Sequence, residues 1–162
     1  MALIGFPREV NEKAARTVAG GVVLLAVVAL VTGWRWLPAL MAVGFALRVA
    51  AGPRFSPLGR LAAQVIAPRL GTTIPTAGPP KRFAQAIGLA FTTAAALAWL
   101  VFDAHTLGLV LLAVLLVFAT LEAVLGFCAG CYVFGHLMRW GVVPEDTCEA
   151  CNNIALRREQ TV

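Results

Sequence analysis

Four long stretches of this sequence carry almost no charge, and no other feature limits the fold so tightly. A helix needs about 20 mostly apolar residues to cross a hydrocarbon core about 30 Å thick. Thr17 to Thr32, extended back through Ala14 and Ala15, predicts a first span. Leu37 to Ala51 predicts a shorter second, interrupted only by Arg48. Phe83 to Phe102 predicts a third, and Thr106 to about Met138 a fourth. The last is too long for one bilayer, since about 33 residues at 1.5 Å each reach about 50 Å. Its final turns should therefore leave the hydrocarbon. The chain is 60% hydrophobic and only 13% charged, against about 25% charged in soluble domains. A water-soluble fold of 162 residues has too little interior to hide that surface. Arg8, Lys13 and Arg16 resemble the basic start of a signal peptide. No small-x-small site follows Val31, however, and three more spans come after, so the first span is expected to be retained.

The basic residues predict orientation. The connection from 52 to 82 holds Arg54, Arg60, Arg69, Lys81 and Arg82 and no acidic residue. Arg8, Lys13 and Arg16 precede the first span; Arg139, Arg157 and Arg158 follow the last. The other two connections are tiny, Trp34-Arg35-Trp36 and Asp103-Ala104-His105. The positive-inside rule puts both termini and the long connection in the cytoplasm. Trp34, Trp36, Trp99 and Phe102 then form an aromatic belt at the outer face. The net charge of +5 thus reports topology and lipid contact, and no motif for reading nucleic acid accompanies it. Within the loop, Ser56 can cap a helix and Pro57 suits its first position. Leu58, Leu61, Ala62, Val65 and Ile66 share one face of the helix that follows, as in an amphipathic helix lying on a membrane surface.

The fold expected is all-α: four transmembrane helices, with a cytoplasmic amphipathic helix between the second and third. Residues 1–140 form the membrane domain, with the cytoplasmic loop at 52–82, and 141–162 a cytoplasmic tail. The location expected is the inner cell membrane.

All four cysteines fall in the last quarter, as Cys128-x-x-Cys131 and Cys148-x-x-Cys151. In a reducing compartment paired cysteines are more often catalytic or metal-binding than permanently disulfide-bonded. The spacing C-x2-C-x16-C-x2-C fits a structural four-thiolate site for zinc, or an iron–sulfur cluster. The first pair, however, continues a membrane helix rather than a knuckle. Redox chemistry needs a thiolate, favoured at a helix N-terminus and opposed at a C-terminus. The fourth helix is expected to bend or loosen around Gly126 to Gly130, so that Cys128 opens a restarted helix; an unbroken helix would leave two poorly reactive thiols. Pro144-Glu145-Asp146 reads as a first turn and puts Cys148 near another helix start. Two pairs in one tail argue against four small hydrophobes placed by chance.

Arg48 and Glu122 lie inside predicted spans at similar depth. Intramembrane charges are costly and usually pair, so an Arg48–Glu122 ion pair is expected, with Gln85 able to join it. His105 reads as an exposed interface residue and His136 as a helix-end residue.

The segments GPRFSPLGRLAAQVIAPRLG, GPPKRFAQAIGLAF and GFCAGCYVFGHLMRWGVVPEDTCEACNNI resemble a bacterial family of small four-helix membrane proteins, filed as domain of unknown function number 4395. The resemblance runs from about Pro7 to Ile154. It rests on Pro68 to Gly71, on Arg82-Phe83-Ala84-Gln85 and on Phe127-Cys128-x-Gly130-Cys131. Cys148 and Cys151 resemble an extension carried by some members only. Genes of the family lie beside thioredoxin-like and rhodanese-type genes, which implies a thiol, disulfide or persulfide context. The function expected is a membrane-embedded thiol protein of sulfur or redox metabolism. Cys128 and Cys131 would exchange electrons or sulfane sulfur with a thioredoxin- or rhodanese-like partner, with Cys148 and Cys151 as a relay and no cofactor. The alternatives are a non-catalytic subunit whose four cysteines hold a metal, and a transporter of small sulfur species, which would need a homo-oligomer for a roomy path.

Overall fold

The computed structural model describes residues 9–52 and 55–143. A short strand β1 (Glu9–Asn11) leads into helix α1 (Glu12–Thr32), followed by α2 (Leu37–Ala51). Then come α3 (Pro57–Arg60), a π-helical stretch (Leu61–Ile66) and α4 (Ala67–Arg69). Strand β2 (Pro75–Ala77) precedes the long helices α5 (Gly78–Leu100) and α6 (His105–Leu125), and α7 (Ala129–Arg139) ends the described chain.

Local chemistry explains the boundaries. Asn11 caps α1 by accepting from Lys13 N at 3.0 Å, and Gly33 ends it in the left-handed conformation that glycine adopts freely. Ser56 caps α3, accepting from Gly59 N at 3.4 Å, with Pro57 next in line as expected. Pro68 lacks the N–H that a regular helix through 57–69 would use, and the turns just before it widen to the π form. In the core, Val22, Ala26 and Ala29 of α1 meet Met41 and Phe45 of α2, Ala95 and Trp99 of α5, and Leu112 of α6. The alanines and Gly88 let the helices approach closely, and the Phe45 ring lies against Gly88.

The two short connections lie together at one end, joined by an Arg35–Asp103 ion pair. The opposite end holds β1, the 55–77 connection and α7. There β1 pairs antiparallel with β2, Val10 opposite Thr76, and Lys13 Nζ donates to Leu70 O at 2.7 Å.

Helices α1, α5 and α6 are each long and apolar enough to cross a membrane. Helix α2, with 15 residues, reaches only about 22 Å. Large apolar side chains cover the outside of these helices, among them Leu24, Leu40, Val43, Val110 and Val117, a surface compatible with lipid contact.

Two expectations need correction. The third long helix starts at Gly78 rather than Phe83, because Pro79 and Pro80 occupy its first turn, where no N–H is needed. The stretch from Thr106 to Met138 divides at Gly126 into two helices, a full break where a bend was expected. In the 57–69 connection Ala62 and Ala67 are buried and Leu58 packs against the core, while Leu61 and Val65 are exposed.

Candidate functional site

The break between α6 and α7 builds the site. Gly126 takes φ +68°, and its N–H returns to Glu122 O at 3.1 Å, closing α6 with a left-handed cap. Arg16 of α1 satisfies the carbonyls that a helix end leaves open, with Nε on Ala123 O at 3.2 Å and Nη2 on Val124 O at 2.6 Å. A cation here also complements the negative end of the helix dipole.

Two residues later the chain restarts. Cys128 is extended (φ −95°, ψ 99°) and is the N-cap of α7, its Sγ accepting from Cys131 N at 3.2 Å. Cys128 and Cys131 are joined as a disulfide, with Cα atoms 5.2 Å apart. The expectation that Cys128 opens a restarted helix is therefore met, and Cys128 stands at the positive end of a helix dipole. Glycine fixes the neighbourhood a second time at Gly130, where an added Cβ would lie 2.6 Å from Ala84 Cα. That close approach seats the first turn of α7 on α5, and Phe134 packs on Phe83 with ring centroids 5.7 Å apart.

Cys128 lines an open-mouthed cavity of about 250 Å³, with residues of α1, α2, α5, α6 and α7 in its wall. Its wall is apolar, from Val22, Phe45, Phe91 and Leu115 among others, apart from Gln85 and Glu122, which lie toward the same end of the bundle as Cys128.

The charged groups pair differently from expectation. Glu122 Oε1 accepts from Lys81 Nζ at 2.8 Å, and Arg48 pairs with no carboxylate among the described residues. Arg48 instead donates through Nε to Gln85 Oε1 at 2.8 Å and through Nη1 to Ser56 Oγ at 3.2 Å. Its guanidinium also stands 4.4 Å over the Phe45 ring. Gln85 does join Arg48, as expected. The sequence reading missed Lys81 because it placed that residue in a loop. The signal was present: in a helix opened by Pro79-Pro80, Lys81 and Gln85 are four apart and share a face. Ser56 was read as a cap alone, yet its hydroxyl serves both Gly59 and Arg48.

His105 is exposed and stacks on Trp99, with centroids 5.2 Å apart. His136 stands edge-on to Tyr132 at 4.6 Å, within an aromatic row that continues to Trp140. Cys148 and Cys151 lie outside the described residues, and with them the proposed relay and the four-thiolate site. Among the described residues no group of three His, Cys, Asp or Glu side chains could hold a metal.

The molecule is thus an all-helical protein with three helices able to span a membrane and a cysteine pair where the last of them ends. It belongs to the family described as domain of unknown function DUF4395, whose model matches residues 10–139. No curated protein and no solved structure matches the chain.

Proposed function

We propose that this protein is a membrane-embedded thiol–disulfide protein in which Cys128 and Cys131 exchange electrons or sulfane sulfur with a thioredoxin- or rhodanese-like partner. The observation that carries the reading is Cys128 as the N-cap of α7, disulfide-paired and bordering a cavity. A thiolate there is stabilised by the helix dipole and by the Cys131 N–H.

Exchange runs in two displacements. A partner thiolate attacks the Cys128 sulfur, the Cys128–Cys131 bond breaks, and Cys131 leaves as a thiolate. The partner's second thiolate then attacks the mixed disulfide and frees Cys128. Two electrons and two protons have passed from the partner's dithiol to the chain. With a persulfide donor R–S–SH, the Cys128 thiolate takes the outer sulfur and releases R–SH. Cys131 then attacks the Cys128 persulfide, the disulfide re-forms, and hydrogen sulfide leaves.

In this reading α2 is the fourth span, its short length matched by Trp34 and Trp36 at one end and Arg48 reaching toward the polar face at the other. The Arg16, Lys81 and Arg82 end faces the cytoplasm of a cell membrane, and the 57–69 connection lies along the membrane surface.

The test uses the purified full chain and a purified thioredoxin. Reduced thioredoxin should open the Cys128–Cys131 bond, and a thioredoxin variant lacking its second active-site cysteine should be held as a mixed disulfide at Cys128. Bound zinc or iron in stoichiometric amount, with no titratable thiol after reduction, would overturn the exchange reading in favour of a metal site.

A further inference from the structure

We infer that the cavity beside Cys128 binds the ring of a lipophilic quinone, which accepts the two electrons of the reduced Cys128–Cys131 pair. The inference rests on the thiol reading above and names the second substrate of the same site.

Three observations carry it. The first is the distribution of chemistry in the cavity. Its wall is apolar over Val22, Phe45, Phe91 and Leu115, and its polar side chains, Gln85 and Glu122, lie toward the end of the bundle that carries Cys128. An occupant should therefore have an apolar body and a polar, reactive end at the sulfur. A small anion such as sulfide or thiosulfate would meet mostly hydrocarbon, at a high desolvation cost.

The second is the way in. Phe118 and Val133 line the cavity and are also 46% and 44% exposed. Phe118 lies in the interior of α6, among the outward apolar side chains of a helix able to span a membrane. The mouth therefore opens on the apolar flank of the bundle, where lipid-soluble molecules reach it. A volume of about 250 Å³ admits a single substituted ring and leaves an isoprenoid tail outside.

The third is the supply of hydrogen-bonding groups for ring oxygens. The Gln85 carbonyl is already engaged by Arg48 Nε, which leaves its amide N–H groups as donors at the cavity. Glu122, which lines the cavity and is held through one oxygen by Lys81, keeps its second carboxylate oxygen as an acceptor for a ring hydroxyl.

The reaction balances without a further reagent. The Cys128 thiolate adds to a ring carbon of the quinone, forming a C–S bond. The Cys131 sulfur attacks Cys128, the disulfide forms, and the C–S bond breaks with its electron pair left on the ring. The two thiol protons end on the two ring oxygens. One dithiol and one quinone give one disulfide and one quinol.

The experiment uses full-length protein in lipid nanodiscs, reduced and freed of reductant anaerobically, then mixed with decylubiquinone. Quinol formation and loss of free thiols are followed together, beside a parallel reaction with glutathione disulfide. The expected result is one quinol per Cys128–Cys131 disulfide, abolished by Cys128→Ser. Filling the cavity with Ala119→Phe, or its mouth with Val133→Trp, should lower the ratio of the quinone rate to the glutathione-disulfide rate at least tenfold. Val133 is exposed, so the second variant keeps the test open if the first does not fold. Oxidation by glutathione disulfide without quinol formation would overturn the quinone inference and leave the thiol reading standing. Oxidation by neither would remove both. A quinone rate unaltered in both filled variants would show that electrons leave by another route. A spin-labelled fatty acid bound in the cavity without quinol formation would make it a site for lipid acyl chains only.

Discussion

Lys81 donates to Glu122 across the α5–α6 contact at 2.8 Å, and the two side chains keep only 6% and 15% of their exposure. Removing one partner of such a pair strands the other charge, at a cost of about 3–5 kcal/mol. Replacing both by apolar residues of similar volume costs far less. Lys81→Met and Glu122→Gln should each lower thermal stability in detergent clearly, and Lys81→Met/Glu122→Leu should recover most of the loss. In a cycle against Arg48→Met, Glu122→Gln should couple to it far more weakly than to Lys81→Met. A stronger coupling of Glu122 to Arg48 than to Lys81 would contradict the pairing described.

Exposure reverses the expectation at the other end of the bundle. Arg35 and Asp103 pair with side chains 51% and 77% exposed, where an ion pair contributes about 0–1 kcal/mol. Asp103→Asn should leave the melting temperature nearly unchanged, and added salt should remove any small difference that is seen.

Two glycines hold the cysteine pair in place, and each gives a separate prediction. At Gly126 a side chain must adopt φ +68°, which costs an L-residue about 1–2 kcal/mol. Gly126→Asn should be milder than Gly126→Val, because asparagine tolerates this conformation better. At Gly130 the obstacle is Ala84, 2.6 Å from an added Cβ, and overpacking of this kind costs about 1–3 kcal/mol. Gly130→Ala should loosen α7 from α5, and Ala84→Gly should restore part of the stability, since it removes the Cβ, one of the two Ala84 atoms that lie 2.6 Å away. Thermal unfolding in a single detergent reads both series.

Orientation is tested by insertion. A reporter placed near Thr76 should read as cytoplasmic, and one between Asp103 and Thr106 as external. A reversed pattern would move the cysteine pair to the other side of the membrane and change the partners it can meet.

Much of this arrangement was legible in the sequence because it depends on local chemistry. Charge-free length marked the long helices, and Ser56-Pro57 marked a helix start. Gly126, two residues ahead of Cys128, showed where the last long stretch could break. The pairing of Val10 with Thr76 was not legible, since contacts so far apart in sequence leave no periodic signal in strands of three residues. The partner of Glu122 was missed for a different reason. Taking Pro79-Pro80 as a linker moved Lys81 out of the helix and left Arg48 as the visible cation. Arg16 was read as a marker of orientation, although its guanidinium also closes the end of α6.

The central claim is that Cys128 and Cys131 form a reversible dithiol with Cys128 as the reactive member. The most direct measurement is peptide-level thiol mapping of anaerobically purified full-length protein, equilibrated across a series of thiol–disulfide buffers. The account predicts a single two-electron transition between the Cys128–Cys131 disulfide and two free thiols. It also predicts that in the reduced protein Cys128 is alkylated faster than Cys131 at neutral pH, because its sulfur faces the start of α7. Two cysteines that never form the disulfide at any buffer ratio, or a Cys128 alkylated no faster than Cys131, would contradict it.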